Sequence, residues 1–295
     1  MALKPRPARN RESYVKAILL ACASVSFLAI LLIFLFIFRE SLPAFIKLGF
    51  RELFSRKWAP NVSNPEAGHY GMLTFLVGTI YTTILAMLLG APLGIGTAIF
   101  IDQVAPKRMS NIMRRGIELL AGIPSVVVGW FGLTLLVPFI ARVTGSAGYG
   151  VLAATLVLVV MSLPTITTLS AETLRSIPLE LKEASVAMGA TRWQSIRKII
   201  LPAGRDGLII AVILGMGRAI GEAMAVQMVI GNSRKLTFSL LQSTSTITSN
   251  LVTNVAEAPP GVFRSALFAQ GLVLLVFSMA LIIMIRVISR KRVTR

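Results

Sequence analysis

The stretch Ala17–Phe38 reads A-I-L-L-A-C-A-S-V-S-F-L-A-I-L-L-I-F-L-F-I-F and holds no charged residue. A helix needs roughly 20 apolar residues to cross the hydrocarbon core of a bilayer, and this run meets that length. Its basic flank resembles a signal peptide, but the run is longer than a typical signal core and ends without a small-residue cleavage site. The stretch therefore predicts a retained first transmembrane helix over residues 17–38.

The rest of the chain repeats this apolar pattern. Hydrophobic residues make up 55% of the sequence, charged residues 14%, and the mean hydropathy is +0.78. A soluble domain of this length has too little core to bury so much apolar surface. We therefore predict an all-α integral membrane protein, a single transmembrane domain over residues 1–295, whose further spans lie at 71–101, 117–140, 149–169, 207–231 and 265–285. Prolines and glycines inside several runs mark either packing kinks or hinges beside a pathway.

The distribution of Lys and Arg predicts the orientation. The net charge of +18 could suggest nucleic acid, but the basic residues lie in short segments between apolar runs. With the N-terminus inside, the inside segments hold 5, 4, 6 and 5 Lys or Arg, and the outside segments hold 5, 1 and 3. The positive-inside rule then predicts that both termini are cytoplasmic. The inside segments are 1–16, 102–116, 170–206 and 286–295, and the outside segments are 39–70, 141–148 and 231–264.

Several kinds of chemistry are absent from the sequence. A single Cys (Cys22) and a single His (His69) cannot form a disulfide framework or a Cys/His metal site. The chain also contains no G-K-[ST] motif, so it has no P-loop to hold ATP. We expect no cofactor in this chain and no enzymatic activity of its own. The acidic residues Asp102 and Glu118, at the ends of apolar runs, are ordinary interfacial charges.

The segment 170–206 predicts two short helices at the membrane surface. Pro178 suits the first turn of a helix, and Gly189 suits its C-terminal end. Thr191 and Gln194 have the spacing of a capping box that opens a second helix. Such a pair of helices could lie on lipid headgroups or dock on a partner protein.

A sequence motif in this segment favours docking. Glu183-Ala184-Ser185 is followed after three residues by Gly189 and after nine more by Ile199-Ile200-Leu201-Pro202. This pattern resembles the EAA loop, E-A-A-x3-G-x9-I-x-L-P, of ABC importer permeases with the MetI-like fold. The resemblance implies docking onto a separate ATPase subunit, which binds ATP and Mg²⁺. Ser185 replaces the second Ala. The implied coupling residues are Glu180, Glu183, Ala184, Ser185 and Gly189.

The predicted fifth span contains two ionisable residues, Arg218 and Glu222. They are spaced i and i+4 on the predicted helix, so they share a face and can pair. A charged side chain near the bilayer centre costs free energy, so an ionisable residue there is taken to be functional by default. An Arg guanidinium suits a tetrahedral oxyanion because it can hold two oxygens at once. The other interpretation is an ion pair that fixes helix packing.

The wider sequence, from Trp58 to Ile285, resembles the permeases of phosphate-specific (Pst-type) ABC importers, in particular their PstC-like subunits. The resemblance rests on three stretches: 117–125 (I-E-L-L-A-G-I-P-S), 217–232, and 247–250 together with 256–258. It implies four partners in the bacterial inner membrane system: a PstA-like permease, a PstB-like ATPase dimer, a PstS-like periplasmic phosphate-binding protein and phosphate itself. It also implies that Arg218 and Glu222 lie on the phosphate path. Ser125 could line that path or bond to a carbonyl freed by Pro124.

These features give one mechanistic hypothesis and several alternatives. Closure of the ATPase dimer would move the docked helices and rock two permease halves in alternating access, while phosphate would take part of the bond between Arg218 and Glu222. The cargo could also be molybdate or sulfate. An ion-coupled secondary transporter would be supported by inverted repeats, which the sequence does not show convincingly. A membrane enzyme would need a nucleophile–base pair or metal cluster.

Overall fold

The computed structural model describes residues 9–61 and 63–291. Its fold is helical apart from a two-residue antiparallel pairing, in which β1 aligns Trp58 with Tyr70 of β2. In chain order the elements are α1 Arg9–Leu53, β1 Trp58–Ala59, β2 His69–Tyr70, α2 Leu73–Ile99, α3 Lys107–Gly122, α4 Ser125–Phe131, α5 Val137–Thr144, α6 Val151–Arg175, α7 Leu179–Ala187, α8 Arg192–Ser195, α9 Leu201–Ala203, α10 Arg205–Gly221, α11 Met224–Val229, α12 Ile247–Asn254 and α13 Val262–Lys291.

The helices provide five or six membrane spans. Five are long and apolar enough to cross a bilayer by themselves, and they cover Tyr14–Leu53, Leu73–Val104, Ser125–Thr144, Val151–Arg175 and Val262–Ile283. A sixth crossing is available if Arg192–Ala203 and Arg205–Gly221, which meet at 71°, are taken as one bent span. The predicted all-α membrane architecture is therefore confirmed.

The first helix is much longer than the apolar run that predicted it. α1 continues past Phe38 to Leu53, with one residue of non-helical backbone at Gly49, where φ is +73°. Most of its apolar side chains are exposed, and its main packing partner is α13. An exposed apolar helix of this length is what a lipid environment accommodates.

The predicted third span, residues 117–140, is wrong at both ends. Residues 117–122 belong to α3, a separate helix, and the span itself runs from Ser125 to Thr144 through α4, a π-helical turn at Gly132–Leu136 and α5. The break lies at Ile123, whose backbone is extended (φ −70°, ψ 126°), because the following Pro124 disfavours the α conformation there. Apolar residues lie on both sides of the boundary between α3 and α4, so the hydropathy of the sequence did not reveal it.

The second and fourth spans form the centre of the bundle. α2 continues through a π-helical turn at Phe100–Val104, and α6 extends beyond the predicted 149–169 to Arg175. The two helices pack closely because a glycine of α2 faces a side chain of α6. A Cβ on Gly94 would lie 2.6 Å from a side-chain carbon of Ile166. Prolines inside both helices leave them continuous.

The two ends of the bundle differ in composition. We call the two short helices α7 and α8, with the turn between them, the elbow. The end of the bundle that carries α3 and the elbow is the elbow end, and the end that carries β1 and β2 is the sheet end. At the sheet end, Trp58, Tyr70, Phe75 and Phe263 form an aromatic cluster. Burial raises the pKa of the Tyr70 phenol, whose hydroxyl donates to the Pro65 carbonyl at 2.7 Å.

Candidate functional site

The predicted helical elbow is present at the elbow end. α7 begins directly after Pro178, which precedes the helix rather than lying in its first turn, and ends beside Gly189. Gly189 has φ +77°, a left-handed conformation that glycine adopts without steric cost. Its N–H donates to the Val186 carbonyl at 2.9 Å, and the next N–H, of Ala190, donates to Ser185 at 3.1 Å.

The second half of the elbow is opened by the predicted capping box. The Gln194 N–H donates to the Thr191 hydroxyl at 3.3 Å, and the Thr191 N–H donates to the Gln194 side chain at 2.8 Å. From α8 the chain passes through a π-helical turn at Ile196–Ile200 and α9, then bends by 71° into α10. The elbow is therefore joined directly to the base of the span that carries Arg218.

The outer face of the elbow exposes large apolar side chains that have no packing partner within the described residues. Met188 is 87% exposed and Trp193 63% exposed, and Ala184 is exposed as well. Four apolar residues of this segment recur at helical spacing, Ile177, Leu181, Ala184 and Met188, and only Ile177 is buried. Two of the predicted coupling residues, Glu180 and Glu183, are also exposed. This combination of carboxylates and large exposed hydrophobic side chains suits a protein interface.

Ser185 differs from the other predicted coupling residues because it faces inward. It is only 3% exposed, and its hydroxyl lies 2.7 Å from the hydroxyl of Ser195 on α8. The Ser185 hydroxyl also bonds to the Lys182 carbonyl. The residue that departs from the motif thus links the two arms of the elbow.

The predicted pairing of Arg218 with Glu222 on one helix face is wrong. α10 ends at Gly221, and Glu222 has an extended backbone (φ −71°, ψ 117°), so the two residues do not share a helix. No ion pair joins them in the part of the chain that the structure describes. Arg218 Nη1 instead donates to the Thr165 hydroxyl in the middle of α6, at 3.3 Å.

Glu222 occupies the break between two helices. Its carboxylate accepts the N–H of Ala225 at 3.2 Å, in the first turn of α11. Its backbone carbonyl, freed by the break, accepts the Thr248 hydroxyl at 3.0 Å. A carboxylate near a helix N-terminus is stabilised by exposed N–H groups, which explains how a half-buried acidic group is held at this depth.

Thr248, which contacts this break, belongs to the segment 231–264, which the sequence predicted to lie outside the membrane. We call residues 244–250 the polar segment. Its side chains are buried, its Ile247 N–H donates to the Thr79 hydroxyl of α2 at 3.0 Å, and Thr246 and Ser249 form a capping box. Asn250 donates to the fully buried Gln270 of α13 at 2.8 Å. The run T-S-T-I-T-S-N could have indicated from the sequence that this segment is buried. Small hydroxyl side chains can hydrogen-bond to one another while they pack closely.

Ser125 belongs to α4, a helix that packs against α11 beside this break. It is half-buried at the start of α4, and its hydroxyl makes no hydrogen bond to any described residue, so the alternative of bonding to a freed carbonyl does not hold. α4 packs against α11 so closely that a Cβ on Gly129 would lie 2.7 Å from the Cα of Ala225. The break at Glu222 is thus bordered by α4, α6 and the polar segment.

A helical bundle with an interrupted polar span, joined to an exposed elbow, has the architecture of a membrane transport permease. The chain belongs to the family of binding-protein-dependent transport system inner membrane components, which matches residues 90–294. The predicted MetI-like fold is confirmed with it.

Known proteins similar to the chain support this assignment. The chain is 45% identical over 282 residues to a probable ABC transporter permease protein, YqgH, of Bacillus subtilis, which covers 94% of the chain and 90% of that protein. It is 37% identical over 262 residues to the phosphate transport system permease protein PstC of Xylella fastidiosa, over 81% and 79% of the two chains. A bacterial alginate ABC transporter crystal structure shares the fold, with a TM-score of 0.68 at 17% identity, over 95% of this chain and 96% of that one.

Proposed function

We propose that the chain is the membrane-spanning subunit of an ATP-driven importer of inorganic phosphate. The importer would consist of this chain, a PstA-like second permease, a PstB-like ATPase dimer and a PstS-like periplasmic binding protein, in a bacterial inner membrane. The phosphate transport permease of Xylella fastidiosa, at 37% identity over most of both chains, supports phosphate as the substrate. The excess of basic residues at the elbow end supports a cytoplasmic position for that end.

The observation that carries this proposal is the guanidinium of Arg218, which lies in the last turn of α10 beside the break at Glu222. Among the described residues Arg218 has a hydroxyl partner, Thr165, and no carboxylate partner. Arg218 is half-buried. A cation inside the membrane without a counter-ion is costly, and an anion passing beside it would offset that cost. The planar guanidinium can donate to two oxygens of a tetrahedral oxyanion. The sequence had suggested that phosphate takes part of an existing bond between Arg218 and Glu222. Because these residues form no ion pair in the described structure, phosphate does not need to displace one.

Glu222 supplies the complementary chemistry. One carboxylate oxygen caps α11, and a carboxylate has further acceptor sites. A phosphate O–H could donate to such a site, whereas sulfate at neutral pH has no proton to donate. Arg218 would therefore attract oxyanions in general, and Glu222 would favour those that carry a proton.

Coupling to ATP would pass through the elbow. Docking of α7 and Trp193 onto the ATPase would let its closure move α8 and α9, which lead into α10. α10 has 17 residues, so at 1.5 Å per residue it carries that movement about 25 Å to the break at Glu222. A movement of this kind would open the break alternately to each side of the membrane.

The experiment that tests the proposal is phosphate uptake by the complete transporter in proteoliposomes. Arg218→Lys keeps the charge but removes the two-pronged donor, so we expect uptake to fall by roughly 10- to 100-fold, the scale of one or two charge-assisted hydrogen bonds. Thr165→Val is a milder comparison, because it removes only the hydroxyl partner and leaves the guanidinium. Normal uptake by the Arg218→Lys transporter would refute the oxyanion role of this side chain. Equal uptake of sulfate or molybdate would show that phosphate is not the preferred cargo.

A further inference from the structure

A second polar site lies at the elbow end, away from the break in the fifth span. A cavity of about 260 Å³ is enclosed by the end of α2, the first turns of α3 and the end of α6. We call it the basic pocket. The side chains that give it its chemistry are Asp102, Lys107, Ser110, Asn111, Arg114 and Arg175.

The pocket has an excess of positive charge. Asp102, whose side chain is 9% exposed, is its single carboxylate and faces two guanidinium groups: Arg114 Nη2 at 3.4 Å and Arg175 Nε at 3.7 Å. Gln103 also donates to Asp102. Lys107 makes no ion pair with any residue that the structure describes. Three cations and one carboxylate leave a net charge of about +2 in one cavity, which repels metal ions and attracts anions.

The pocket also has unused hydrogen-bond donors. A guanidinium carries five N–H groups, and Arg114 and Arg175 each direct only one nitrogen to Asp102, at distances longer than those of a strong charge-assisted bond. Ser110 and Asn111 add a hydroxyl and an amide, neither of which bonds through its side chain to a described residue. Several converging donors around a positive cavity match the oxygens of a phosphate group rather than a single carboxylate.

The position of the pocket fits the level of lipid headgroups. α3 is amphipathic, and the apolar side chains of Met109, Ile112 and Leu119 are exposed on it without packing partners in the described structure. Such a helix lies in the membrane interface with its apolar face toward the acyl chains. The basic pocket is at the N-terminal end of this helix, and basic pockets between helices at this depth bind anionic headgroups.

We propose that the basic pocket binds a phosphate group, carried either by an anionic phospholipid headgroup or by free inorganic phosphate. Bound there, the group would join Lys107 and Arg114 of α3 to Arg175 of α6. It would also relieve Asp102 as the common partner of the two arginines. Arg175 is the last residue of α6, and α7 begins at Leu179. The ligand would therefore fix the segment that leads into the elbow, independently of which solute is transported.

The test measures ligand binding to the purified transporter after removal of lipid. Native mass spectrometry with added phosphatidylglycerol or phosphatidylcholine reports headgroup binding, and calorimetry with inorganic phosphate reports free phosphate. Lys107→Gln removes one cation of the pocket without touching the Asp102 ion pairs. Arg108→Gln removes the same charge from the neighbouring position of α3, which does not line the pocket. Ser110→Ala tests a neutral donor.

Lys107→Gln should weaken binding about fivefold, as expected for one basic residue near an anionic headgroup, and Ser110→Ala should weaken it about twofold, while Arg108→Gln should not. Such an effect on phosphatidylglycerol assigns the site to a lipid headgroup, and the same effect on inorganic phosphate without lipid assigns it to the free ion. The pocket is not a phosphate site if neither phosphatidylglycerol nor inorganic phosphate binds. The same conclusion follows if the Lys107→Gln variant binds each ligand as tightly as the Arg108→Gln variant does.

Discussion

Replacement of Gly189 by Val tests whether the geometry of the elbow matters for coupling. At φ +77° a side chain is strained, but a Cβ at this position would meet no atom within 4 Å, so the strain is confined to the backbone. A left-handed residue with a Cβ costs about 1–2 kcal/mol, and β-branching adds to the strain. Relaxing the strain by rotation would instead break the two capping hydrogen bonds from Gly189 and Ala190.

If the ATPase docks on the native elbow, as we propose, this strain is subtracted from the docking free energy. A loss of about 1–2 kcal/mol corresponds to a roughly 5- to 30-fold weaker association. The assay is the apparent affinity of the purified permease pair for the ATPase, measured together with permease-stimulated ATP hydrolysis. Gly189→Asn should bind nearly as well as the wild type, because Asn tolerates the left-handed region.

A matched control separates this effect from any Gly→Val change at the elbow end. Gly116 lies in α3, has no left-handed backbone, and a Cβ there also meets no atom within 4 Å. Gly116→Val should leave ATPase binding unchanged. If Gly189→Val also binds and stimulates the ATPase like the wild type, the elbow does not act as the coupling element.

Three further changes test other parts of the structure. Ser185→Ala should destabilise the elbow by about 1–3 kcal/mol because it leaves the Ser195 hydroxyl buried without its partner, and replacing both serines by alanine should recover most of the thermal stability, measured as the unfolding temperature of the complex. Glu222→Gln retains an oxygen that can cap α11 but removes the charge, so folding should be unchanged while the preference for phosphate over sulfate in uptake falls; an unchanged preference would limit Glu222 to the capping role. Gly78→Ala would place a Cβ 2.2 Å from a carbonyl of the polar segment and should lower both stability and uptake, whereas Gly96→Ala, with no atom within 4 Å, should be neutral or stabilising; equal effects of the two changes would show that the packing of the polar segment is not needed.

The sequence was sufficient for features that depend on local chemistry. Apolar runs predicted the membrane helices because the bilayer requires long uninterrupted apolar segments. Gly189 and the pair Thr191 and Gln194 predicted the ends of the elbow helices because caps are made by neighbouring residues. The structure confirms both helix ends, with φ +77° at Gly189 and two reciprocal hydrogen bonds in the capping box.

The features that the sequence missed depend on residues far apart in the chain. The helix break at Glu222 lies inside an apolar run, and it is supported by Thr248, which is 26 residues away. Asn250 can donate to the Gln270 side-chain oxygen only because α12 packs on α13. Asp102, an ordinary interfacial charge by its sequence position, is the single carboxylate of the basic pocket because α3 and α6 bring two arginines to it.

The measurement that tests the central claim most directly is solute uptake by the reconstituted protein with and without its ATPase. With a second permease, the ATPase dimer and the loaded binding protein present, we expect uphill phosphate uptake that requires ATP hydrolysis and stops when the ATPase is omitted. Uphill uptake of phosphate by the chain in liposomes that contain no ATP-hydrolysing partner would contradict the account.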